Sequence, residues 1–182
     1  MGGINNMNKK DFKNISMIGR LAYQLMCAER YFTHKYPNED FTELFKLLWP
    51  ATNGMYWDSF SGYIIELEPS YMLEFNSYEE DGSWLELTKE QYDTFKPLIQ
   101  KFDQEDEDFM ETLKDQAEVY AYTVVPKDTS ESINIVFETI KFLKRHKIPL
   151  PDIKLVEFST IDQRRGWGDH FDGTKLSIIL NK

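Results

Sequence analysis

A predominantly helical single domain of α+β class, ending in a small antiparallel β element, is what this sequence predicts. Three observations carry that expectation. Apolar residues recur at three- and four-residue spacing through most of the chain. Prolines and capping residues fall mainly between these runs. Only the last third offers short stretches rich in branched apolar residues, 153–158 and 176–180, which suit paired strands.

Composition sets the outer bounds. A chain of 182 residues with 41% hydrophobic content is long enough for one sizeable core, so residues 1–182 read as a single domain. Its polar beginning, residues 1–13, is expected to be flexible. Aromatics make up 15% of the chain, enough to serve both a core and an interface. The net charge of −10 argues against a nucleic-acid backbone as the main partner and favours a basic protein. With Cys27 as the only cysteine, no intrachain disulfide is possible. Neither a signal-peptide core nor an apolar run of about 20 residues occurs, so a cytoplasmic location is expected, with no membrane partner.

The elements follow in order. From about Ser16, the residues Ile18, Leu21, Leu25, Ala28 and Phe32 mark a core helix that Pro37 ends. Asn38 is placed to cap a second helix, which Pro50 and Asn53-Gly54 stop. Asp58 is placed to cap a third, carrying Phe60, Ile64 and Leu67 inward, and a further helical turn follows over 70–75. Residues 76–87 lack periodicity and read as a loop. Thr88 and Gln91 stand at capping-box spacing, and Pro97 either kinks the helix they open or begins another. The acidic run 103–108 favours a helix start, with Phe109, Leu113, Ala117, Tyr120 and Val124 on the buried face as far as Pro126. Asp128 and Glu131 cap the last helix, whose stripe is Ile133, Val136, Phe137, Ile140 and Leu143 and whose end collects Lys144, Arg145 and His146. Pro149 and Pro151 then force an extended exit toward the expected strands.

Between those strands lies the stretch 159–173, the densest in special residue types. Trp167 between Gly166 and Gly168 reads either as a lid folded over the strands or as an exposed anchor beside Arg164 and Arg165. Asp169, His170 and Asp172 are metal-compatible, yet their spacing matches no metal signature, so neither metal nor cofactor is expected. His170 beside an aspartate keeps a small acid/base or metal-dependent enzyme as a rival reading, although no nucleophile motif accompanies it. The acidic run 103–108 reads as a solvated helix start or as a docking surface.

A small acidic domain that runs through Pro149, Leu150, Pro151, Asp152, Ile153 and Lys154 into an apolar segment and then Gly166-Trp167-Gly168-Asp169 resembles the immunity proteins of bacterial polymorphic-toxin and contact-dependent inhibition systems. The likeness has texture only over the last third of the chain. It implies a non-enzymatic cytoplasmic protein that binds a cognate toxin domain, often a basic nuclease, and blocks it. On that reading Glu79, Glu80, Asp81, Asp103, Asp106 and Asp108 attract the partner, and Trp84 and Trp167, with Arg164, Arg165 and Asp169, hold it. A regulatory or structural protein with a non-toxin partner is the third reading.

Overall fold

Helix α1 (Met17–Lys35) is buried on nearly every side, from Met17 through Phe32, and the other elements are arranged around it. A helix enclosed in this way must bring partners for its polar residues, and Arg20, Gln24 and Glu29 are all fully buried. The computed structural model describes residues 7–121 and 123–182. Eight α-helices occur among them, the others being α2 (Thr42–Leu48), α3 (Trp57–Leu67), α4 (Pro69–Met72), α5 (Tyr78–Asp81), α6 (Lys89–Ile99), α7 (Gln104–Glu118) and α8 (Ser130–Arg145). α7 and α8 pack on each other and on α1, while α3 lies along α7. The result is an all-helical single domain.

Aromatic rings fill the seams of this bundle. Tyr31 stacks on Phe109 at 4.4 Å and Phe32 on Phe102 at 4.9 Å, tying α1 to α7 and to the turn before it. Such pairs are worth about 0.5–1.5 kcal/mol beyond the area they bury. Gln24 donates to Thr112 O at 3.1 Å and to Thr139 Oγ1 at 2.7 Å, so one side chain of α1 joins both neighbours. Cys27 is completely buried, and burial pushes its thiol well above the ordinary range.

The expected helix starts near Ser16, at Thr88 and within the acidic run hold, and the structure adds the caps. Ser16 caps α1, its Oγ accepting from Gly19 N at 3.1 Å. Thr88 and Gln91 form the capping box of α6, and Pro97 is accommodated inside that helix. Asp103 caps α7 and forms a second capping box with Asp106.

Others are corrected. Residues 153–158 and 176–180 form no strands; the chain takes 3₁₀ turns at Ile153–Val156 and Gly173–Leu176. The reason is local acceptors. Asp152 Oδ1 accepts from Lys154 N at 3.1 Å and Asp172 Oδ1 from Thr174 N at 3.2 Å, each curling the chain before it can extend. The remaining β feature among the described residues is an isolated antiparallel bridge between Ile15 and Thr160. α2 begins at Thr42 rather than after Asn38, because Asp40 Oδ1 takes the Thr42 N–H at 2.9 Å. Residues 76–87 include the single turn α5. α7 stops at Glu118, leaving Val124 72% exposed instead of in the core. Of the stretch 1–13, residues 1–6 lie outside the described residues, whereas Met7 and Phe12 are buried and Phe12 meets Tyr23 edge-on at 5.0 Å.

Candidate functional site

The stretch 159–173 is folded onto the start of α1. Ser16 N donates to Ser159 O at 2.8 Å, Ile18 N to Trp167 O at 3.0 Å and Ile161 N to Asn14 O at 2.9 Å. Backbone donors that a helix start leaves over are thereby satisfied by this loop's carbonyls. The approach is close enough to require glycine. Gly168 sits at φ +90° with the Ser16 and Ser159 side chains directly against it. Gly166, at φ +99°, is pressed on Val125 in the same way.

Backbone strain concentrates beside them. Arg164 and Arg165 have φ of 43° and 60°, left-handed conformations that side-chain-bearing residues seldom adopt. Consecutive residues of this kind cost on the order of 1–3 kcal/mol each and cluster where proteins act. Both arginines are exposed, and Arg164 Nη1 is hydrogen-bonded to His170 Nε2.

This geometry brings Trp167 against Trp57, edge to face at 4.9 Å. Both indoles are half-buried, and Trp57 is fixed by a bond from its Nε1 to Ala51 O at 3.3 Å. Next to them Tyr56 stands 83% exposed. A cleft of about 280 Å³ is lined by Tyr56, Trp57, Asp58, Arg164, Trp167 and His170. Trp167 is thus partly the packed ring and partly the presented one. Tyr56 and Trp57 were not singled out from the sequence; their position just after the Asn53-Gly54 turn was the available signal. Asp169 is exposed, its N–H directed to Gln163 Oε1 at 3.4 Å.

The other expected site residues lie elsewhere. Trp84 is half-buried in a ring cluster, 4.9 Å from Tyr92 and 5.7 Å from Tyr78, with its Nε1 bonded to Tyr78 O at 3.0 Å. Glu79 is paired with Lys89, and Glu80 Oε2 accepts from Asn76 N at 2.8 Å. The side chain of Asp81 lies outside the described residues.

The acidic run is largely spent inside the fold. Asp106, expected on a contact surface, is fully buried and accepts from Lys35 Nζ at 2.9 Å, Tyr36 Oη at 2.6 Å and Asp103 N at 2.8 Å. No partner reaches it while α7 is folded. Asp103 also holds Lys35, at 2.8 Å, and Glu105 holds Arg145 at 2.6 Å and His146 at 3.0 Å. These carboxylates join the start of α7 to the ends of α1 and α8. Asp108 is exposed, with Gln104 Nε2 bonded to it at 2.9 Å.

The bond from Lys35 holds the Asp103 carboxyl below its ordinary value. Burial opposes ionisation of Glu105, but its bonds to Arg145 and His146 prevail and lower it as well. For an acid with a depressed folded pKa, the unfolded chain binds the proton more readily. The stabilisation is therefore complete above the ordinary carboxyl range and is lost as pH falls through the folded values. Denaturant midpoints measured from about pH 6 down to about pH 2 should fall steeply for the native protein and less steeply for Lys35→Met. Parallel acid limbs would show that Lys35 does not set the shift.

Among the described residues, no group of three or more His, Cys, Asp and Glu side chains is placed to hold a metal ion. Asp172 is turned onto Thr174 and His170 onto Arg164. No described helix is long and apolar enough to cross a membrane. Comparison with protein-family models, curated proteins and solved structures finds no match for the chain. Fold and site together define a class, an all-helical domain presenting an aromatic and arginine-bearing cleft.

Proposed function

We propose that this is a cytoplasmic binding protein that neutralises a basic toxin domain, in the manner of the immunity proteins its sequence resembles, and that it grips its partner at the cleft between residues 54–58 and 164–170. The observation that carries this reading is Tyr56, almost fully exposed beside the Trp57–Trp167 pair and Arg164. Tyr, Trp and Arg are the residues most enriched at binding hot spots, and a large ring held in water is otherwise unfavourable. The strained Arg164–Arg165 backbone supports the same site, because it presents two guanidinium groups at a cost the fold alone does not explain.

A basic partner is favoured by a second acidic surface, part of which is already engaged, Glu118 by the Ser61 hydroxyl and Glu138 by Lys141. Asp115, Glu118, Glu131 and Glu138 line a groove of about 540 Å³ between α7 and α8. Burial, and after it the charge of Glu111, raises the Asp115 carboxyl, so a docking cation would relieve it. Such a field speeds encounter, while the aromatic cleft governs dissociation.

Co-expression supplies the test. The product of the neighbouring gene should arrest growth of a bacterial host, and this protein should restore it and bind the purified product. Tyr56→Ala and Trp167→Ala are each expected to weaken binding by roughly thirtyfold, since truncating a hot-spot ring costs about 2 kcal/mol. Absence of both protection and binding rejects the immunity reading; full protection by both variants moves the docking face away from this cleft.

A further inference from the structure

One feature of the molecule runs against its acidic character. At the start of α8 a cleft of about 580 Å³ is lined by Lys9, Lys13, Lys127, Asp128, Thr129 and Ser130, among others. The lysines are brought together from two distant stretches of the chain. Lys9 is partly engaged, donating to Asn134 Oδ1 at 2.6 Å and lying 5.8 Å from the Phe137 ring. Lys13 and Lys127 are exposed and make no ion pair among the described residues.

Behind this cleft stands an independent positive charge. Arg20 is completely buried, and its guanidinium is directed at the cleft wall, with Nη1 donating to Thr129 O at 3.3 Å and Nη2 to Thr129 Oγ1 at 2.7 Å. Its other bonds go to Phe12 O and the Met17 sulfur, and Nε has no partner among the described residues. None of these acceptors is a carboxylate. A buried cation left without a counter-ion is costly, and an anion on the far side of Thr129 would offset it. The helix start adds to the same field, because α8 runs 16 residues and has no side-chain N-cap bond. No carboxylate among the described residues pairs with Arg20: Asp128, at the cleft edge, turns one oxygen to Ser130 N at 2.9 Å, and Glu131 lines the neighbouring groove between α7 and α8.

We propose that this cleft binds the phosphate group of a small molecule. Lys13 and Lys127 would contact its oxygens, the Thr129 and Ser130 hydroxyls would donate to it, and buried Arg20 would stabilise its charge through Thr129. The site stands apart from the aromatic cleft and does not depend on the toxin-neutralising reading.

Isothermal titration of the full chain with inorganic phosphate and with adenosine monophosphate, at ionic strength matched by chloride, tests the assignment. Saturable binding of at least one probe is expected. A Lys13→Gln/Lys127→Gln double variant, which alters only exposed side chains and so leaves the fold in place, should bind it at least about tenfold more weakly. Lys141→Gln, which removes a cation paired with Glu138 at 2.7 Å, should bind as the native protein does. Tighter binding of the nucleotide than of phosphate would identify a phosphomonoester as the ligand, and equal binding would identify free phosphate. Either result supports the site. Failure of both probes to saturate, or equal affinity in the double variant, overturns it.

Discussion

Replacing Glu29 by alanine is expected to destabilise the protein by about 3–5 kcal/mol, because three hydrogen bonds to a buried carboxylate are lost together and their donors are left without an acceptor. Glu29 is fully buried in α1, and its carboxylate accepts from Trp49 Nε1 at 2.8 Å, from Ile178 N at 2.6 Å and from the Ser177 hydroxyl. Ser177 in turn accepts from Ile179 N at 3.2 Å and Leu180 N at 2.8 Å. One carboxylate therefore fixes the indole that follows α2 and organises the backbone of the last turn. Truncation leaves a buried indole N–H without an acceptor and frees the chain end. Domains of this size hold only about 5–15 kcal/mol in total, so the variant should be close to unfolding at 37 °C. Glu29→Gln keeps the volume and one acceptor oxygen, and should lose about 1–3 kcal/mol because its amide cannot serve every donor. Amide exchange supplies the local readout, with Ile178, Ile179 and Leu180 losing protection ahead of α1. If Glu29→Ala unfolds within about 1 kcal/mol of the native protein, the C-terminal turn is held by something else.

That network also explains why the end of the chain was misread. The apolar run 176–180 has strand-like composition, but its Ile178 N–H is taken by a side chain 149 residues away in sequence, and those of Ile179 and Leu180 go to the Ser177 hydroxyl that the same carboxylate holds. Periodicity does not register such a partner. The capping box of α6 and the acidic start of α7 were legible because every participating atom lies within a few residues. Asp106 shows the limit of that legibility. Its place in a carboxylate-rich stretch marked a helix start correctly, yet only the approach of Lys35 and Tyr36 turned an apparent surface charge into a buried one. The cleft was half legible. Trp167 stood out between its glycines, whereas Tyr56 and Trp57 resembled ordinary core aromatics until the fold placed one in solvent and the other beneath Trp167.

Gly168→Ala joins fold and site in one test. An added Cβ would sit 2.8 Å from Ser16 Cβ and 2.9 Å from Ser159 Oγ, and would overlap Ser16 Oγ. The neighbours have little freedom to yield, because Ser16 Oγ caps α1 and is bonded to Ser159 Oγ at 2.6 Å. At φ +90° the backbone is also unfavourable for any residue with a side chain. Strain of about 1–3 kcal/mol and overpacking of similar size combine to an expected loss of about 2–6 kcal/mol. The consequence for function follows from Trp167 O, which accepts the Ile18 N–H at 3.0 Å and so sets the height of the indole over Trp57. Displacing that carbonyl should shift the fluorescence of the tryptophan pair even where the protein remains folded, and should weaken partner binding more than the global stability loss accounts for. Ser16→Gly makes room for the new methyl at the cost of the α1 cap, so the Ser16→Gly/Gly168→Ala pair should recover the indole signal without recovering full stability. Loss of stability in Gly168→Ala with unaltered tryptophan fluorescence and partner affinity would mean that the loop serves only to close the start of α1.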